Sequence, residues 1–195
     1  MTGGKDPLIM PEGTVISTNP GASVNALTDK IMKHQIRVKD FCKIILLIGI
    51  VDLLNIHQSS SVSYRNIEFR QLMRRFTFLL RTIRSKNPHA LILVSGILPC
   101  PRFHNDIGLR IRSVNFALHV ISAKFGNCLY LDTPSAFSFE LKPIQKYFRD
   151  KLHLSKPGML VLSSRFRQAL SPKEILKQQS AKKNLLMQSY PVHFD

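Results

Sequence analysis

Apolar and polar positions change rhythm several times along the chain, and each rhythm predicts an element. "TVIST" (14–18) is a short β-branched run closed by the turn signal Asn19-Pro20-Gly21, predicting a strand. "VNALTDKIMKHQI" (24–36) carries Val24, Leu27 and Ile31 at helical spacing. "CKIILLIG" (42–49) is a continuous apolar run of strand length, expected to be buried on both faces like a central parallel strand. After a polar, Ser-rich loop (57–63), "NIEFRQLMRRFTFLLRTIRSK" (66–86) reads as an amphipathic helix. Its apolar stripe is Phe69, Leu72, Met73, Phe76, Leu80 and Ile83, with Arg70, Arg74, Arg81 and Arg84 largely off it.

"ALILVSGILP" (90–99) predicts a second buried strand, and "NCLYLD" (127–132) a third. Between them Ile107, Ile111, Val114, Leu118, Ile121 and Phe125 step by four and three, the clearest helical signal in the chain. Pro157 opens a further helix over "GMLVLSSRFRQAL". From Ser171 onward Lys, Gln and Ser dominate, which predicts a frayed helix and a basic, disordered tail over 171–195. Residues 1–13 are expected to be flexible, leaving one domain over 14–170. Strand–helix alternation with short connections predicts an α/β domain with a mainly parallel sheet. Chemistry in such sheets gathers at the carboxyl ends of the strands.

Composition narrows the partners. The chain has 195 residues, of which 44% are hydrophobic, enough for one core. No apolar run approaches the ~20 residues of a membrane span. "MTGGKDPLIMPEG" lacks a basic stretch followed by a long apolar one, so an intracellular protein, cytoplasmic or nuclear, is expected. Cys42, Cys100 and Cys128 are widely spaced and form no metal pattern with histidine, so reduced thiols, no metal and no cofactor are expected. Twenty-eight Lys and Arg against twelve Asp and Glu give a formal charge of +16. That excess favours a polyanionic partner such as RNA or DNA.

Four stretches at the predicted strand ends resemble the SGNH/GDSL hydrolase superfamily, most closely the versions carried by mobile elements. They are "ISTNPGAS", "LLIGIVDLLN", "LILVSGILPCP" and "DKLHLSKPGMLVLSSRF", in the family's order across roughly residues 14–170. The resemblance implies a flavodoxin-like three-layer sandwich and ester hydrolysis by a serine nucleophile, a His general base and an orienting Asp. It assigns the acid–base pair to Asp150 and His153, and oxyanion donors to Gly21 and Gly49.

Two departures stand against activity. The chain contains no Gly-Asp-Ser, and the thirteen residues before "TVIST" are too few for a first strand and its crossover, so nucleophile and strand are expected to be missing. The family's oxyanion Asn is Val51 here, and losing such a donor costs on the order of 3 kcal/mol in a known hydrolase. Without that first strand, "TVIST" and "CKIILLIG" must pair directly or leave backbone groups unpaired. Three readings stay open. One is an inactive domain binding RNA or DNA through Arg70, Arg74, Arg81 and Arg84, with Lys182 and Lys183 on a flexible arm. The second is a weak or fragmentary esterase using Asp150 and His153 on an ester substrate. The third is a mobile-element remnant without selected activity.

Overall fold

The computed structural model describes residues 10, 12–57, 62–101, 106–140 and 142–188. Helix α1 (Val24–Met32) precedes strand β1 (Lys43–Leu46), then helices α2 (Ile50–His57) and α3 (Val62–Lys86). Strand β2 (Leu91–Ser95), helix α4 (Asp106–Lys124) and strand β3 (Cys128–Leu131) follow. A two-residue hairpin, β4 (Ser138–Phe139) with β5 (Lys142–Pro143), leads to helices α5 (Lys156–Ala169) and α6 (Pro172–Gln188).

The three long strands form one parallel sheet in the order β1-β2-β3, with Lys43 opposite Leu91 and Ile92 opposite Cys128. Alternation along each strand divides the core in two. Ile44, Leu46, Ile92, Val94, Cys128 and Tyr130 face a cluster built with α1, α2, α3 and α4. Ile45, Leu91, Leu93, Leu129 and Leu131 face a second cluster with Phe137, Phe148 and residues of α5. The molecule is thus helix, sheet and helix in three layers, as the strand–helix alternation predicts. Helix α3 turns Leu72, Phe76, Leu79, Leu80 and Ile83 inward, all at most 1% exposed.

Two expectations are corrected. "TVIST" is not a strand: residues 14–18 are irregular, with Val15 69% and Ile16 46% exposed. Intrinsic β preference is weak without a neighbouring strand to pair with. "CKIILLIG" supplies β1, yet among the described residues β1 pairs only with β2 and lies at the sheet edge; β2 takes the centre. Helices pack on both faces of β1, which explains its apolar run, while among the described residues no strand pairs with its outer margin. Within the span expected as a frayed helix and tail, Pro172–Gln188 form helix α6, started by the Ser171 hydroxyl accepting the Glu174 N–H at 3.3 Å. Residues 189–195, and most of 1–13, lie outside the described residues.

None of the three cysteines is in a disulfide: Cys42 is exposed, whereas Cys100 and Cys128 are buried. No described helix is long and apolar enough to cross a membrane.

Candidate functional site

The stretch 147–155 folds back on itself before α5. Ser155 donates its N–H to the Tyr147 carbonyl, and its hydroxyl caps α5 by accepting the Gly158 N–H. Gly158 has to be glycine, since a Cβ would lie 2.0 Å from the Tyr147 carbonyl oxygen. Within this frame Asp150 accepts the N–H groups of Leu152 and His153 through Oδ1, at 2.8 and 2.7 Å. Its Oδ2 lies 2.8 Å from His153 Nδ1. A carboxylate there takes the Nδ1 proton and leaves Nε2 as the basic nitrogen, the arrangement a general base needs. The His153 and Leu152 backbone N–H bonds, followed by the His153 ring, hold the Asp150 carboxyl well below the usual carboxylate range. Leu152 packs on the α1–α4 cluster, and Cys100, beyond the carboxyl end of β2, donates to the Lys151 carbonyl at 3.2 Å.

The segments that follow Gly21 and Gly49 are tied together by Asp52, a residue the sequence pattern does not single out. Asp52 is 3% exposed, and its Oδ2 accepts the N–H of Val24, the first residue of α1, at 2.9 Å. It ties the turn after β1, which contains Gly49, to the segment leaving the Gly21 turn. Arg75 Nη1 faces it at 3.9 Å. Burial raises the Asp52 carboxyl above its ordinary range, outweighing the Val24 N–H and the Arg75 charge. The only signal available in the chain was an acid three positions after the strand-ending glycine. Gly49 has φ +114°, and a Cβ there would lie 2.8 Å from Ile97 Cδ1 and 2.9 Å from Phe76 Cζ. Gly21, at φ +70°, is in open space.

Among the described residues His153 Nε2 has no hydroxyl partner; its ring bonds only to Asp150. The two serines flanking Gly21 are otherwise engaged: Ser23 caps α1 through the Ala26 N–H, and Ser17 accepts from Asn19 Nδ2. A cavity of about 270 Å³ opens at the carboxyl ends of β2 and β3, lined by Cys100, Arg112, Tyr130, Asp132 and Ser135 among others. Neither Asp150 nor His153 lines it. The Asp150–His153 pair and this cavity therefore do not coincide. No described cluster of His, Cys, Asp and Glu could hold a metal ion.

The basic residues divide into two groups. Arg84 is committed to the fold: its guanidinium donates to the carbonyls of Pro88, Ala90, Gly126 and Asn127, at 2.6–3.1 Å. Lys182, expected on a flexible arm, is half-buried on α6 and donates to the carbonyls of Ser122, Phe125 and Cys128, closing the end of α4. Partial burial pushes its ammonium pKa down. Both are thus engaged with backbone carbonyls inside the fold, unlike the free side chains expected of them. Arg70, Arg74, Arg81 and Lys183 are exposed. Arg70, Arg74 and Arg81 make no ion pair or hydrogen bond among the described residues, unlike Arg75, which meets Glu68, Gln71 and Asp52.

No family model matches the chain, and no curated protein matches it. Solved structures do. A Streptococcus pneumonia protein provisionally assigned as a platelet activating factor superposes with a TM-score of 0.65 at 17% identity, over 77% of this chain and 69% of that one. A member of the lipolytic G-D-S-L family from Veillonella parvula gives 0.62 at 15% identity, over 78% and 76%. A catalytic mutant of an acetylxylan esterase from Geobacillus stearothermophilus gives 0.59 at 17%, over 75% and 66%. At such identities the likeness is one of fold, and the chain has an SGNH hydrolase-like α/β architecture.

Proposed function

We propose that this SGNH-type domain is catalytically inactive and binds nucleic acid through the outer face of α3. The observation that carries the binding is the row Arg70, Arg74 and Arg81, exposed and unpaired among the described residues, in a chain of formal charge +16. Cations without an internal carboxylate partner are available to phosphate, and each phosphate neutralised releases counterions. Inactivity rests on the absent Gly-Asp-Ser, on Val51 in place of an amide, and on the engaged hydroxyls of Ser17 and Ser23. Gly21 and Gly49 then remain as backbone turns of the scaffold, and Lys183 adds charge at its margin.

Titration of the folded chain with nucleic acid at low and at physiological salt tests the reading. Binding that weakens steeply with salt supports it; no binding at low salt defeats it and favours the relic. A second reading, weak ester hydrolysis, draws on one observation: the Asp150–His153 pair is assembled with Nε2 open. Turnover of p-nitrophenyl acetate by the purified chain should equal that of His153→Ala. Turnover removed by that substitution would establish the esterase instead.

A further inference from the structure

We infer that the nucleic acid is single-stranded and that one of its bases stacks on Phe78. This rests on the nucleic-acid reading above and concerns the same face of α3. Ile67, Arg70, Arg74, Phe78 and Arg81 are spaced by three, four, four and three residues, which places all five on one stripe of the helix. Arg70 and Arg81 stand about 16 Å apart along the axis. In the middle of this row Phe78 is 53% exposed. The core does not claim it, because the inward face of α3 is already filled by Leu72, Phe76, Leu79, Leu80 and Ile83. Beside it runs an open groove of about 470 Å³ lined by Met73, Arg74, Thr77, Phe78, Arg81 and Ile121.

The row is therefore cation, cation, ring and cation, with an apolar groove floor from Met73 and Ile121. An unpaired strand presents phosphates and flat π-faces together, and every base offers such a face whatever its sequence. In a duplex the base faces are stacked inside and unreachable. An anionic bilayer is the poorer match. Surface-bound helices insert a broad apolar face, whereas the outward stripe of α3 has arginines between two isolated apolar residues. The only acid in α3, Glu68, is held by Arg75, so no carboxylate on the helix competes with phosphate along the row.

The test is fluorescence anisotropy with a labelled strand of about 20 nucleotides, as RNA and as DNA, against the same strand annealed into a duplex. The chain should prefer the single strand, and whichever sugar binds more tightly identifies the source. Phe78→Leu, which keeps apolar bulk and hence the fold, should weaken single-strand binding about tenfold without altering the salt slope. Phe78→Tyr should retain affinity. Arg74→Ala/Arg81→Ala should flatten the slope of log K against log salt by about 1.4, at about 0.7 per phosphate contact. Phe116→Ala, which removes an exposed ring on α4, should change nothing. Equal affinity for duplex, or no loss with Phe78→Leu, would overturn base stacking while salt-dependent binding through the arginines left the nucleic-acid reading intact. Failure to bind any polynucleotide at low salt, or binding only to anionic phosphatidylserine vesicles, would overturn both.

Discussion

Asp150 shows how much a local turn can arrange within three residues. One carboxylate receives two backbone N–H groups and a ring nitrogen, so its charged form is favoured in the folded chain. The sign for stability follows. A carboxyl whose folded pKa is depressed stabilises fully above its unfolded value, near 4, and loses that contribution as pH falls through the lower folded one. Asp150→Asn should lower the melting temperature at neutral pH, with the gap to the parent closing below about pH 4. A thermal melt series across pH, run on both proteins, measures this. Arg84 is a residue of the other kind, its fork holding carbonyls as far as 42 and 43 positions away. Arg84→Met should cost about 2 kcal/mol by urea denaturation, and Arg84→Lys should recover only part, lacking the planar fork. The contrast explains what could be read in advance. The Asp150–His153 spacing was legible because its partners are sequence neighbours. Spacing alone leaves Arg84 and Lys182 looking like free cations, because their carbonyl acceptors are brought in only by the fold.

Elements were legible where one side of the pattern faces a helix layer. The three core strands, the amphipathic α3 and the four-and-three stepping of α4 all appear where their apolar spacing places them. α2 and α6 were not so legible. α2 is eight residues with an almost continuous apolar run, and α6 has few buried apolar residues to mark a face. Yet "SPKE" before α6 carries a helix-start signature, Ser171 with Glu174 three positions on. The start of α1 illustrates dependence between elements, since Asp52 on α2 supplies the acceptor for Val24. Asp52→Ala should leave that buried N–H unsatisfied and destabilise by about 1–3 kcal/mol. Burial already disfavours the Asp52 charge, so Asp52→Asn, which keeps an acceptor, should be no less stable than the parent at neutral pH. Guanidinium denaturation of the three proteins decides it.

At the scale of the molecule, two clusters share one sheet, and exposed cations stand both on the outer face of α3, at Arg70, Arg74 and Arg81, and in the segment around His153, at Lys146, Arg149, Lys151 and Lys156. The proposed interface on α3 does not include His153, so on that proposal His153→Ala should leave polynucleotide affinity, measured by anisotropy, unchanged. The fold class was legible because strand–helix alternation leaves few topologies. The edge position of β1 was not, because an apolar run reports covered faces and says nothing of hydrogen-bonding margins.

The cysteines add a practical asymmetry. Burial raises the Cys128 thiol to about 11, and Cys100 is covered, while Cys42 sits in the open immediately before β1. Iodoacetamide at neutral pH should therefore alkylate one thiol in the native chain and three once it is denatured, as intact-mass spectrometry would count. The protein thus carries a ready-made handle for a spin label or fluorophore next to β1, the edge strand among the described residues, where the docking of a partner on that edge would be reported directly.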